Sequence, residues 1–382
     1  MNRMLLYTFF ERCDLMDKKL GFGCMRLPMK DGEVDYDEFN KMIDYYMENG
    51  FNYFDTAHGY IGGLSEKAIG DCLTPRYKRE EYELTDKLTG NYFKKEEDIV
   101  PFFNEQLRIC GVDYFDYYLM HAQDKNSYKH FMECNAYKVA SKLKEEGKIK
   151  HLGISFHDTA DVLDMILSEH PEIEIVQIQL NYIDYESAGV QSKKCYEVCR
   201  KYNKPILVME PVKGGGLVRL PEDAKKVFDS INKDKNLSYA SYAIRFASSL
   251  DGIYKVLSGM SNFEQMEDNV SFMKDFTPLN EEEYKSIDKV IAILKSTGGI
   301  ACTACRYCVE GCPKSISIPD LFACYNAKKQ FNDWNSSMYY GVHTKDNGKA
   351  SDCIKCGKCE RICPQHLPIR ELLEEVADTF EK

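Results

Sequence analysis

The sequence predicts an α/β protein: a (β/α)8 TIM barrel with a small, cysteine-rich α+β domain at its C-terminal end. Two observations predict it. From residue 19 to about 278, short apolar or β-branched runs alternate with amphipathic stretches, eight times over. Near residue 297 the alternation stops, and eight of the sixteen cysteines follow in two tight groups. An open doubly wound sheet would place a glycine-rich phosphate loop after its first strand. The segment found there is RLPMKDGEVD, which favours the barrel.

The expected strands are LGFGCM (20–25), FNYFDT (51–56), YELTDK (82–87), YFDYYLMH (114–121), IKHLGISF (149–156), IVQIQL (175–180), PILVME (205–210) and YKVLSGM (254–260). Between them, YDEFNKMIDYYMENG and ECNAYKVASKLKEEGK read as helices, with Gly50 and Gly147 as their C-terminal caps. NEEEYKSIDKVIAILK (280–295) reads as a further helix. Asn280 is its candidate cap, and its acidic first turn suits the helix dipole. The expected divisions are a leader at 1–18, the barrel at 19–296 and the C-terminal domain at 297–382. The leader's apolar run is short and lacks a small-residue cleavage site, so it does not read as a signal peptide.

The 382 residues suffice for one large domain and one small one. A hydrophobic content of 44% allows a sizeable core. The net charge of -11 argues against a nucleic-acid partner, which calls for a basic face, and gives no reason to expect an anionic membrane as partner. No apolar stretch approaches the roughly eighteen residues of a membrane span. Clustered cysteines in so long a chain suit reduced thiols on metal in the cytoplasm better than a secreted disulfide scaffold.

The two groups are Cys302, Cys305, Cys308, Cys312, followed by Pro313, and Cys353, Cys356, Cys359, Cys363, followed by Pro364. Both have the spacing C-x2-C-x2-C-x3-C-P. Three cysteines so spaced wrap one face of a cubane cluster, and the fourth reaches the other cluster. The expected ligands are therefore Cys302, Cys305, Cys308 and Cys363 for one [4Fe-4S] cluster, and Cys353, Cys356, Cys359 and Cys312 for the other. The pattern resembles the two-cluster bacterial ferredoxins. Zinc sites have four ligands, often as two pairs, and do not account for the third cysteine at the same interval. Cys324 reads as a helix or core thiol. The insert containing FNDWNSSMYYGVHTKDNGK reads as a helix followed by a surface loop.

Three strand ends carry chemistry. Asp55 ends the second strand, with Tyr60 just beyond it. Lys87 ends the third and His121 the fourth. All should project at the C-terminal mouth, where such barrels hold their active sites. Together they make a proton donor for a carbonyl. An ammonium near a phenol lowers its pKa from about 10. Asp55 would hold Lys87 charged, and His121 would bond the substrate oxygen or share the proton. Lone tyrosines are usually packing residues; the three partners single out Tyr60. His58, His157 and His366 read as surface or loop histidines, and Cys24 as a buried thiol.

Residues 19–278 resemble the aldo/keto reductase family. Its motif D-T-A-x-x-Y appears as Asp55, Thr56, Ala57, His58, Gly59 and Tyr60, with its lysine at Lys87 and its histidine at His121. GKIKHLGIS and GMSNFEQMEDN also resemble family segments. With the C-terminal domain, the chain is similar to the subgroup carrying a ferredoxin-like extension. The resemblance implies an oxidoreductase that reduces a small aldehyde or ketone to an alcohol, with hydride from a nicotinamide cofactor and Tyr60 as general acid.

It also implies cofactor-binding positions. Ser155 and Gln179 would hold the nicotinamide carboxamide, with Asn181 close by. Phe156 stands where the family often has asparagine, and Glu210 where it usually stacks an aromatic ring. In the loop after the last strand, 259–265, the family's lysine and arginine for the extra phosphate of NADP(H) are missing. Glu264 would repel that phosphate unless Lys213 or another base compensated, so NAD(H) is favoured. Gln265 lies in the same loop. Asp268 and Asn269 match the family's acid–asparagine pair at the adenine. Clusters pass single electrons and a nicotinamide passes two, so the clusters have structural, regulatory or electron-transfer roles. The alternative reading is an iron–sulfur electron-transfer enzyme whose barrel binds a flavin or another cofactor and exchanges electrons with a ferredoxin-like redox partner. The module begins where the family's mouth-covering tail would, and is expected to lie across or beside the mouth.

Overall fold

The computed structural model describes residues 18–233, 236–296, 298–302, 304–363 and 365–382. Apart from Lys18, the expected leader lies outside them. Eight parallel strands close into a barrel: β1 (Leu20–Gly23), β2 (Tyr53–Asp55), β3 (Glu83–Leu88), β4 (Phe115–Gln123), β5 (Ile149–Phe156), β6 (Ile175–Gln179), β7 (Ile206–Met209) and β8 (Ile253–Ser258). Each expected run overlaps one of these strands, and the fourth runs two residues past its expected end. The first is shorter than expected because Cys24–Arg26 turns into a 3-10 helix. A two-stranded hairpin (Met29–Lys30 with Glu33–Val34) fills the first loop. It turns on Asp31 and Gly32, both at positive φ, as a tight hairpin turn requires.

Helices end and begin where their caps dictate. Gly50 and Gly147 take positive φ just past Tyr36–Glu48 and Ala136–Glu145. The Asn280 side chain accepts from the backbone N–H groups of Glu282 and Glu283 at the head of Glu281–Ser296.

The side-chain period of two builds layers inside the barrel. Tyr53, Tyr117, Leu119, Ile175, Leu207, Tyr254 and Leu257 form one buried inner cluster. Gly153 permits this packing, because a Cβ there would come within 2.6 Å of Leu119 and Ile175. Two residues further along the strands, the inward positions become polar: Asp55, Lys87, Ser155 and Gln177, all buried.

Among its described residues, the C-terminal module is built from helices and irregular segments without a strand: Tyr307–Glu310, Ile318–Phe331, Asn335–Lys345, Lys358–Ile362 and Ile369–Phe380. It has its own core, centred on Ile316, Ile318, Leu321, Phe322, Tyr339 and Leu373. The insert corrects one expectation. Asn335–Lys345 is a second helix rather than a surface loop, because Tyr339, Tyr340 and His343 find buried partners. Tyr340 stacks on Phe380 with ring centroids 4.6 Å apart, and His343 Nε2 lies 2.8 Å from the Gly189 carbonyl oxygen.

The module meets the barrel at loops that follow β4, β6 and β7. Lys125 pairs with Asp346, Gln179 with Asn335, Gly189 with His343 and Lys213 with Asp333. It therefore sits beside the C-terminal mouth, as its place in the chain suggested.

Candidate active site

The mouth gathers the four candidate catalytic residues. Lys87 Nζ donates to Asp55 Oδ1 and to the Thr56 carbonyl oxygen, each at 2.7 Å. Asp55 Oδ2 accepts from Gln177 Nε2 at 3.2 Å. The ammonium lies 4.7 Å from the centroid of the Tyr60 ring, whose centroid is 6.0 Å from that of His121. The chain is bent to present both rings. Ile61, Gly62 and Gly63 all take positive φ after Tyr60, an unusual state for a β-branched residue such as Ile61. The β4–β5 register breaks between Met120 and Gln123, Ala122 takes positive φ, and His121 stands on that bulge. Ser155 Oγ secures it by accepting from the Ala122 N–H at 2.7 Å.

The electrostatics correct one expectation. Burial raises the Tyr60 hydroxyl to about 12; Lys87 draws it back only in part, and Asp55 opposes Lys87. Tyr60 is thus a firmly protonated acid rather than a partly ionised one. For Lys87, burial works against the charge, but Asp55 and Tyr60 outweigh it and raise its pKa. Burial, with Lys87 and His157 nearby, lowers His121 well below the usual imidazole value, so the ring is neutral at pH 7. Its Nδ1 is 2.7 Å from Thr89 Oγ1, which leaves Nε2 as the other polar edge of the ring.

The candidate cofactor residues divide into two regions. At the mouth, Gln179 donates to Asp184 Oδ2 at 2.8 Å and lies 3.5 Å from Asn335 Nδ2. Asn181 donates to Asp184 Oδ2 and to the Glu210 carbonyl oxygen, and accepts from the N–H groups of Ile183 and Asp184. Its amide therefore shapes the loop after β6. Glu210 holds positive φ and pairs with Arg26 at 3.6 Å, a charged bridge where the resemblance implied a ring.

Beyond β8, Gln265 accepts from the Ser261 N–H and Asp268 accepts from Ser238. Asn269 donates to Ser258 Oγ, tying helix Phe263–Met273 to the end of β8. Lys213, considered as a base for a phosphate, is instead buried at 2.8 Å from both Asp184 and Asp333.

Two cavities in the module each bring four of the cysteines together. Cys302, Cys305, Cys308 and Cys363 line one, with Phe322, Leu367 and Ile369; Cys312, Cys353, Cys356 and Cys359 line the other, with Leu373. Ile318 lines both. The two runs share one backbone pattern. Positive φ falls at Ala304, Arg306 and Ser315 in the first, and at Lys355, Gly357 and His366 in the second. Such turns point N–H groups inward, and the Ala304 N–H lies 3.4 Å from Cys302 Sγ. Four thiols around an apolar cavity fit a [4Fe-4S] cluster in donor number and chemistry.

Some site residues escaped the sequence reading. His157, read as a surface or loop histidine, has a buried Nδ1 beside the mouth. Glu38 accepts from the Phe263 N–H at 2.8 Å. Asp333 and Asn335 come from the insert. No local pattern marks any of them, since their partners are far away in the chain.

A parallel barrel with an acid, lysine, phenol and imidazole at its mouth, joined to a dicluster module, defines a class: an iron–sulfur oxidoreductase. The aldo/keto reductase family is matched over residues 19–292 and a 4Fe-4S dicluster domain over 301–367, and the chain belongs to the aldo/keto reductase family. L-galactose dehydrogenase of Arabidopsis thaliana is 25% identical over 295 residues, covering 72% of this chain and 90% of that one. The NADH-specific methylglyoxal reductase of Escherichia coli (strain K12) is 24% identical over 307 residues, covering 68% and 90%. Among solved structures, the holo form of an aldo-keto reductase from Bacillus halodurans superposes with a TM-score of 0.58 at 26% identity, covering 71% and 91%. A Klebsiella pneumoniae aldo/keto reductase in complex with NADP and acetate gives 0.59 at 18% identity, covering 72% and 96%, a likeness of fold. No helix among the described residues is long and apolar enough to cross a membrane.

Proposed function

We propose that the barrel reduces a small aldehyde or ketone to an alcohol and prefers NADH. The observation that carries this is the Asp55–Lys87–Tyr60–His121 group, which offers a carbonyl oxygen two neutral hydrogen-bonding groups beside a buried cation. A bound nicotinamide would supply the hydride. Tyr60 gives its proton to the carbonyl oxygen as charge develops there. Lys87, fixed by Asp55 and the Thr56 carbonyl, stabilises the phenolate left behind. His121, neutral and oriented by Thr89, holds the oxygen in place. Ser155 and Gln179 stand at the mouth as polar partners for the nicotinamide end, and Asp268 and Asn269 on the helix after β8 for the adenine end.

The preference for NADH rests on carboxylates. Glu38 already occupies an N–H at the head of helix Phe263–Met273, and Glu264 sits in its first turn. Lys41 is nearby, its ammonium 3.6 Å from the Phe263 ring centroid. Two carboxylates against one lysine make this helix end a poor seat for an added phosphate. The E. coli relative's NADH specificity is in keeping with this.

The eight cysteines are proposed to hold two clusters in the crossed arrangement, and the module to serve as a cluster-bearing wall of the mouth. The test is anaerobic: NADH, then carbonyls including methylglyoxal, are added while the absorption spectrum is recorded. Loss of NADH absorption only with a carbonyl, the clusters unbleached, is expected. Bleaching by NADH alone would overturn this in favour of an electron-exchange enzyme.

A further inference from the structure

The loop after β7 is held in an unusual shape by groups from both domains. Glu210 and Lys213 take positive φ, which non-glycine residues rarely adopt. Such backbone persists only where its surroundings fix it. Glu210 is fixed through its carbonyl oxygen, which accepts from Asn181 Nδ2 at 3.0 Å. Lys213 is fixed through its ammonium. It donates to Asp184 Oδ1 at 2.8 Å and Oδ2 at 2.9 Å, and lies 2.8 Å from Asp333 Oδ2 of the module. All three charged side chains are buried.

Asp184 is the node of this network. Its Oδ2 also accepts from Gln179 Nε2 and Asn181 Nδ2, each at 2.8 Å. One carboxylate therefore holds the ammonium of the β7 loop and both amides at the end of β6. Asp333 stands at the far end, and its own position is fixed. Its Oδ1 accepts from the Asn335 N–H at 3.0 Å, and its carbonyl oxygen accepts from Ser336 Oγ at 2.5 Å, at the head of helix Asn335–Lys345. Phe331, just before it, sets its ring centroid 5.6 Å from the same ammonium. The module thus closes one side of Lys213 with a carboxylate and a ring. Without Asp333, the ammonium keeps one carboxylate, its long side chain regains rotamer freedom, and Asp184 loses its fixed partner.

We propose that Asp333 of the iron–sulfur module is a positioning residue for the barrel's mouth. Through Lys213 and Asp184 it sets the amides of Gln179 and Asn181 and the turn at Glu210. It acts through these groups and touches no ligand itself. The four catalytic residues hang on other links: Lys87 on Asp55 and the Thr56 carbonyl, His121 on Thr89. The relay therefore governs dinucleotide binding and not proton transfer, and the seat of the module on the barrel sets the barrel's affinity for its cofactor. The inference rests on the reductase reading above, in which the end of β6 faces the nicotinamide end.

The test uses the full chain with its clusters in place. NADH and NADPH are titrated against wild type, Asp333→Asn, Asp333→Ala and Lys125→Ala, and carbonyl reduction is followed with the dinucleotide that binds more tightly. Asp333→Asn keeps the shape and an acceptor for Lys213; Asp333→Ala removes both. Lys125→Ala breaks the exposed pair with Asp346, a contact between the same two domains that does not lead to Asp184. The dissociation constant should rise by roughly 3- to 10-fold in Asp333→Ala, the worth of one hydrogen bond, by less in Asp333→Asn and not at all in Lys125→Ala. KM for the dinucleotide should rise in step while kcat holds. Asp333→Asn decides the matter should Asp333→Ala lose its cluster absorption. Wild-type affinity in the Asp333 variants overturns the relay, even where unfolding midpoints fall, and leaves the reductase reading standing. An equal loss in Lys125→Ala also overturns it, since affinity would then follow any contact between the domains. Failure of wild type to bind either dinucleotide overturns both.

Discussion

Lys213 Nζ and Asp333 Oδ2 lie 2.8 Å apart, one on the barrel and one on the module, and both side chains are sealed from water. Asp184 lies on the other side of the ammonium at 2.8 Å. Burial alone would lower the Lys213 pKa, but the two carboxylates outweigh it and carry it to about 12. A raised lysine contributes stability that is full below its unfolded value near 10.4 and is lost as pH rises through about 12. Lys213→Met strands two buried carboxylates and is expected to lower stability by about 3–5 kcal/mol. Denaturant unfolding of wild type and variant at pH 7 measures this. Equal midpoints would show that the triad is not what joins the domains.

Tyr60→Phe should reduce carbonyl turnover by about 10²–10⁴-fold, the usual worth of a positioned acid. Cluster absorption and NADH affinity should stay unchanged, because the phenol's role is in the proton transfer. Lys87→Met should also weaken the acid, but with a cost in folding, since it leaves Asp55 buried without its cation. Steady-state kinetics and dinucleotide titration on both variants separate the two effects.

The pH profile of kcat/KM for reduction follows from the same group. The acid must be protonated, and Tyr60, raised to about 12, stays so well past the ordinary tyrosine value near 10. Reduction should therefore hold as pH rises to about 10 and fall only beyond it. His121 is lowered well below its usual value and should give no inflection near pH 6.5. A basic limb with its midpoint below 9 would show that a different group donates the proton.

The crossed cluster arrangement predicts which cysteine variants resemble each other. Cys302→Ser and Cys363→Ser should lose the same cluster, about half the iron, and the double variant should lose no more. Cys312→Ser should instead match Cys353→Ser. Iron content and electron paramagnetic resonance of the reduced protein would tell. Loss of the Cys353 cluster on changing Cys363 would mean that each run holds its own.

Relief of the carboxylates at the helix after β8 should admit NADPH. Glu38→Gln combined with Glu264→Lys is expected to raise NADPH affinity several-fold relative to NADH, from roughly 0.3–1 kcal/mol per charge at a helix N-terminus. Parallel fluorescence titrations of both dinucleotides measure it. An unmoved ratio would place the added phosphate elsewhere.

Much of this protein was legible in its sequence because the controlling interactions repeat locally. The period of the apolar runs placed all eight strands, since each strand and its helix bury faces set by neighbouring residues. Asp55, Lys87 and His121 were legible because a strand end facing a barrel mouth is a position along the chain. The gathering of the cysteines around two cavities was legible because short turns at one repeated spacing bring such residues together, and the two runs share the positions of their left-handed turns.

What only the tertiary structure decided depends on burial and on contacts between distant segments. The acidity of Tyr60 turned on burial, which outweighed the neighbouring Lys87. Lys213 became the buried bridge to Asp333 rather than a free base, because the module segment leading into helix Asn335–Lys345 packs across the loops after β6 and β7. Asn335 reaches Gln179 across 156 residues, and Glu38 reaches Phe263 across 225. Local sequence states which groups are present. Which of them lose water, and beside which partner, is settled only when distant surfaces close on each other.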